Sequence, residues 1–198
     1  VYVDFNPDVT MKIRAGRTKF LFWNPTDLFF DSDLRPEGVS IRKKLGDYVL
    51  DYYLTAGLFM LDEKSTSTKD PFLLGAQAKM DWLMSRTEKT EAAITYYGAE
   101  QVKGSTLDYS SGTNTLSNGN LAHNFRTTIL SLQYSKKKIP LINFLYLTGE
   151  LGSNTATSSK NLAYLAGVKI GHNKLINNGN WNAALNYRYI EQDAIRSE

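Results

Sequence analysis

The chain has 198 residues, a formal net charge of +3 and no cysteine. That length suits a single domain, and the missing thiols exclude disulfides, cysteine metal sites and thiol chemistry. Charges of both signs are interspersed, which argues against a nucleic-acid partner, and no run approaches the roughly 18 consecutive apolar residues of a membrane helix.

The chain opens on a strand-like run, Val1 to Phe5, and Asn6-Pro7-Asp8 reads as a short turn. A strand is predicted over 10–20, with Met11, Ile13 and Ala15 alternating with Lys12, Arg14 and Gly16. A long loop follows over 21–38, then a strand over 39–45, a tight turn at Gly46-Asp47, and a return strand over 49–61. Residues 62–72 read as polar loop. Leu74, Ala76, Ala78, Met80 and Trp82 then alternate with Gly75, Gln77, Lys79 and Asp81. Ser85 to Glu88 turns the chain into a strand near 90–99. The stretch 100–125, rich in Gly, Ser, Thr and Asn, reads as a long flexible extracellular loop. Thr128 to Tyr134 alternates again, and Lys136-Lys137-Lys138 reads as a basic turn. The strand over 142–152 is too uniformly apolar to assign its faces, and 153–160 is loop. Leu162, Tyr164, Ala166, Val168 and Ile170 form one arm of a last hairpin, and Trp181, Ala183, Leu185, Tyr187 and Tyr189 form the other. Asn177-Asn178-Gly179 between them supplies the reversal.

Side chains on a strand point to opposite faces with period two. Each run therefore has one apolar face and one small, polar or charged face. The connections alternate short and long, and aromatics fall near the strand ends. Both features fit an all-β, antiparallel up-and-down transmembrane β-barrel, with about ten strand segments and residues 1–198 as one domain. The short turns would face the periplasm and the long loops the outside.

Several segments resemble one family in the same order along the chain. Trp23 followed by Asp31-Ser32-Asp33-Leu34-Arg35-Pro36-Glu37-Gly38 resembles the D-x-D-x-x-x-E-G loop of the putative porin family of Gram-negative outer membranes. Phe59 to Glu63, Gly167 to Lys174, and Gly179-Asn180-Trp181 followed by Tyr187 to Ala194 resemble the same family. The resemblance implies a large single-chain barrel of which this chain is an internal portion. An open fragment would leave two unpaired edges, which lipid does not tolerate. Closure into a smaller barrel, or pairing with a second copy as a homo-oligomer, would cover them.

With the apolar sets facing lipid, the lumen receives Lys12, Arg14, Arg42, Lys44, Asp51, Lys79, Asp81 and Arg188, together with Ser40, Gln77, Gln133, Lys169, Asn182 and Asn186. Basic groups outnumber acids here, and rings of Arg and Lys favour anions. The plainer reading makes them cross-strand ion pairs, Lys12 and Arg14 with Asp51, or Lys79 with neighbours of Asp81. The 21–38 loop is the candidate constriction, carrying Asp27, Asp31, Asp33, Arg35 and Glu37, and the apolar Leu28-Phe29-Phe30 suits packing against something. A rim loop or subunit contact is the alternative. Asp31, Ser32, Asp33 and Glu37 lack the remaining spacing of a calcium loop. Trp23, Trp82, Trp181, Tyr187 and Tyr189 fit an aromatic girdle at the lipid headgroups.

His123 in the long loop and His172 beside a turn fall at opposite ends of the barrel, and no nucleophile elbow or zinc spacing occurs. The expectation is therefore a non-enzymatic outer-membrane porin without cofactor or metal. It would pass small hydrophilic solutes by diffusion with a weak anion preference. The alternative is a non-conducting barrel that serves as an anchor or surface-contact protein.

Overall fold

A computed structural model describes residues 1–30, 34–62, 70–106 and 112–196. The expected loop residues Asp31, Asp33 and much of 62–72 lie outside the described residues. The long strands are β1 (Tyr2–Asp8), β2 (Met11–Arg17), β3 (Glu37–Gly46), β4 (Leu50–Met60), β5 (Phe72–Leu83) and β6 (Glu88–Glu100). A small hairpin follows, β7 (Leu116–Ser117) with β8 (Asn120–Leu121), and the sheet resumes with β9 (Phe125–Ile139), β10 (Asn143–Asn154), β11 (Leu162–Gly171) and β12 (Asn182–Ile190). Ten strands form one sheet in the order β1-β2-β3-β4-β5-β6-β9-β10-β11-β12, apart from the small hairpin. Each pairs antiparallel with the next long strand in sequence, and β1 and β12 are the two edges of an open sheet.

The two faces invert the usual order of a water-soluble sheet. Leu54, Leu58, Leu74, Ile94, Leu130, Leu132, Leu147 and Leu151 are exposed, whereas Ser40, Thr55, Gln77, Thr95, Ser131 and Glu150 on the other face are buried. The register builds continuous apolar rows, for example Leu54–Ala78–Ile94–Leu130–Leu151–Tyr164. Monomers in water rarely expose contiguous apolar patches beyond a few hundred Å², so a face of this extent calls for lipid. On β5 the band runs from Phe72 to Trp82. That is about 33 Å along a strand at 3.3 Å per residue, or about 25 Å of height at the tilt usual for membrane barrels.

Trp82, Tyr187 and Tyr189 stand exposed toward the ends of this face, and Trp181 is exposed just before β12. Tyr164 stacks on Tyr189 with ring centroids 5.2 Å apart.

Several local expectations change. The first turn falls at Val9-Thr10 rather than Asn6-Pro7-Asp8, because the Asp8 carboxylate accepts the Thr10 N–H at 2.7 Å and closes the chain one step later. Lys136 to Lys138 are not a turn. They continue β9: Lys136 pairs with β6 and makes an ion pair to Glu88 at 2.7 Å, Lys137 pairs with Phe144 of β10, and the reversal comes at Pro140 to Ile142. The ambiguous strand β10 turns Phe144, Tyr146, Thr148 and Glu150 to the polar face and Leu145, Leu147 and Leu151 to the apolar one, as its register with β9 requires. The last hairpin is longer than expected, with residues 172–181 connecting β11 to β12. The connection 155–161 before it is the shorter of the two, so the alternation of loop length fails there. Gly179 has φ 86°, the left-handed value that a glycine supplies at such a turn.

Ile94 lies mid-row on the apolar face and is 51% exposed. Replacing it with Arg is expected to destabilise the lipid-folded state by about 2–4 kcal/mol, as for a charge near the bilayer midplane. Urea titration in vesicles checks this, and a change near zero would place the apolar face in water.

Candidate functional site

The polar face carries an ordered set of charges, because β3 to β6 pair without register shifts. One row sets Arg42, Thr55, Gln77 and Thr95 side by side. The next sets Lys44, Tyr53, Lys79 and Ala93, and the third sets Asp51, Asp81 and Glu91. Like charges directly opposite each other repel, so three carboxylates in line need cations. The lysines supply them. Lys44 meets Asp51 at 2.8 Å, and Lys79 lies 2.6 Å from both Asp81 and Glu91. Lys89 reaches the same two acids at 3.0 and 2.9 Å.

The partner expected for Lys12 and Arg14 was Asp51. Their partner is instead Asp4, which β1 places opposite Arg14. Arg14 binds it with two prongs, at 2.7 and 2.9 Å, and Lys12 joins at 2.8 Å.

Residues 18–30 of the connection between β2 and β3 lie across this face, and the ends of the connection are joined by Thr18 N–H donating to the Pro36 carbonyl at 3.3 Å. Gln77, 4% exposed, fixes the first crossing point. Its amide accepts from Trp23 N–H and donates to the Trp23 carbonyl, both at 2.8 Å, and also donates to Thr95. The Thr26 hydroxyl donates to Glu150, which takes a second hydrogen bond from Ser131 at 3.0 Å. Asp27 then reaches Arg188 on β12 at 2.8 Å. The loop therefore touches β5, β10 and β12 in turn.

Its apolar residues pack at the long-loop end. Leu28 is 2% exposed, and Phe20, Phe22 and Phe30 gather around Phe59 and Tyr97. Edge-to-face contacts such as Phe20–Phe59, at 4.7 Å and 89°, suit aromatic quadrupoles. Two glycines make room: a Cβ on Gly75 would sit 2.7 Å from the Phe22 ring, and one on Gly152 would sit 2.3 Å from that of Phe29.

The segment after β12 closes over the same end. Asp193, 2% exposed, accepts from Thr115 N–H and hydroxyl at 2.8 and 2.6 Å. Asn154 donates to the Asp193 carbonyl at 2.8 Å, and Asn114 donates to the carbonyls of Gln192 and Ile195.

The sheet thus has one lipid-type face and one charged face crossed by an inserted loop. The family described as "Putative porin" matches over residues 1–137 and 124–197. The chain belongs to that family. No curated protein and no solved structure matches it.

The charged residues expected in the lumen share one face of the sheet. Lys12, Arg14, Arg42, Lys44, Asp51, Lys79, Asp81 and Arg188 all stand there, although in most of them the charge is met by a neighbour. Trp23 is not a girdle residue. Its ring lies 4.7 Å from the Lys79 ammonium on the polar face, because its backbone is pinned to Gln77. Arg35 and Glu37 are exposed at the base of the loop, with Glu37 opening β3. His172 bonds Asn143 at 3.1 Å beside the last turn, far from His123 before β9. Asp193, Asn114 and Asn154 were not anticipated. Asn114 and Asp193 lie in loops and Asn154 at the last position of β10, and their partners are up to 81 positions away.

The glycine clearances give a direct check. Gly75→Val and Gly152→Val are expected to unseat the loop at a cost of about 1–3 kcal/mol, the usual penalty for overpacking. Chymotrypsin should then cut after Phe22 and Phe29 faster than in the parent chain, with the strands still protected. Unchanged digestion would mean that the rings do not occupy those clearances.

Proposed function

We propose that this porin-family chain builds the wall of a passive diffusion channel in a bacterial outer membrane, and that small hydrophilic solutes pass along its charged face. The observation that carries this reading is the division of one sheet into an apolar face and a face of paired charges. A packed interior would have no use for so many ions. Hydrated ion pairs suit a water-filled lumen, where they also brace the wall. The loop that crosses from Gln77 to Arg188 acts as the constriction, narrowing the passage as an infolded segment. The channel reading assigns no catalytic step to any residue.

Charge selectivity in this account is a weak preference for anions. Most lumenal cations are neutralised by Asp4, Asp51, Asp81, Glu91 or Asp27, so little surplus positive charge remains. One observation favours the alternative of a non-conducting anchor. The aromatic cluster of Phe20, Phe22, Phe30, Phe59 and Tyr97 fills the long-loop end of the charged face. In the channel reading this cluster narrows the passage to one side without sealing it.

Planar-bilayer recording separates the two. The folded chain should give discrete conductance steps with a reversal potential leaning slightly toward anions in a salt gradient. Deleting residues 22–29 should raise the step size severalfold. A folded, inserted protein that stays silent in both forms would support the anchor reading instead.

A further inference from the structure

Among the cations of the charged face, Arg42 and Lys169 have no ion pair among the described residues, and of the two Arg42 carries the planar, forked donor group. Its neighbours each have a carboxylate: Lys12 and Arg14 share Asp4, Lys44 has Asp51, and Lys79 has Asp81 and Glu91. The Arg42 Nε donates to the Thr55 hydroxyl at 3.3 Å, and its guanidinium lies 6.0 Å from the centre of the Tyr53 ring. That single hydrogen bond orients the group and leaves both terminal nitrogens without an acceptor among the described residues. The residue is largely withdrawn from solvent. An arginine cannot shed its proton to relieve a partly buried charge, and such a charge is normally paired. The fork of terminal N–H groups matches the two oxygens of a carboxylate.

We propose that Arg42 is a binding subsite for the carboxylate of a small organic acid passing through the channel. The inference rests on the channel reading above. Lys12 and Arg14 share the single carboxylate of Asp4, so with Arg42 they leave a surplus of two positive charges that draws an anion to this part of the face. The choice among anions then falls to the apolar surface beside the guanidinium. Tyr53 adds an aromatic surface beside the guanidinium, so an acid with an apolar body fits better than acetate. The signal in the sequence was only that Arg42 faces the lumen, because its isolation depends on where Asp4 and Asp51 find their partners.

Calorimetric titration of benzoate into the full chain, folded in detergent, tests the subsite without requiring conduction. Saturable binding is expected, with acetate and inorganic phosphate weaker. Arg42→Gln should weaken benzoate by about tenfold or more, the order expected for losing a charge-assisted pair. Arg42→Lys keeps the charge but loses the fork, and should weaken it severalfold, whereas Lys174→Gln, exposed in the connection before β12, should leave it unchanged. Circular dichroism confirms that each variant is folded, and Arg42→Lys serves if Arg42→Gln is not. Benzoate binding that survives Arg42→Gln, or that Arg42→Lys leaves intact with phosphate equal to benzoate, overturns the proposal. A chain that binds benzoate but stays silent in bilayers would keep the subsite and end the channel reading. A conducting chain without benzoate binding would do the reverse.

Discussion

One continuous sheet with different surroundings on its two faces is the constraint behind everything else here. Side chains alternate strictly along a strand, and a slip of one residue would exchange the faces entirely. The unshifted pairing from β3 through β6 therefore does two jobs at once. It aligns Leu54, Ala78 and Ile94 toward lipid, and it aligns Asp51, Asp81 and Glu91 on the other side. The carboxylate row is tolerable only because the lysines of the neighbouring row, with Lys89, meet it.

The second dependency is the crossing loop. Its aromatic residues could not remain in water, and its backbone could not lie on a face of side chains without partners for its polar groups. Gln77 solves the polar part by offering both an acceptor and donors to Trp23, much as a neighbouring strand would. Gly75 and Gly152 solve the steric part by leaving space for Phe22 and Phe29. The polar face is thus shaped by what the strands omit as much as by what they present. The loop divides it into an aromatic end beneath the long connections and an ionic region toward the short turns.

Much of this was legible in the sequence, for physical reasons. Clean alternation in β4, β5, β11 and β12 assigns their faces without any knowledge of neighbours. The lumenal set followed from the same rule, and so did the suspicion that Leu28-Phe29-Phe30 must pack against something. Other features depend on distant partners and left no local trace. Trp23 sits in a loop, where period two assigns no face, so its position beside Lys79 could not be inferred. The uniformly apolar β10 needed β9 to orient it, and the lysines from Lys136 needed β6 and β10 to be drawn into a strand. The choice of Asp4 over Asp51 by Lys12 and Arg14 turns on strand order, with β1 lying beside β2.

The central claim is that the two faces meet different solvents, and it can be measured residue by residue. Single nitroxide labels at Leu54, Ile94 and Leu130 should be relaxed by oxygen dissolved in the bilayer, whereas labels at Thr55, Ala93 and Ser131 should respond to a water-soluble nickel complex. Accessibility should alternate with period two along β4, β6 and β9 and reverse sign at each step. Labels on both faces that respond equally to the aqueous reagent would contradict it, and the sheet would then have to be read as a soluble one.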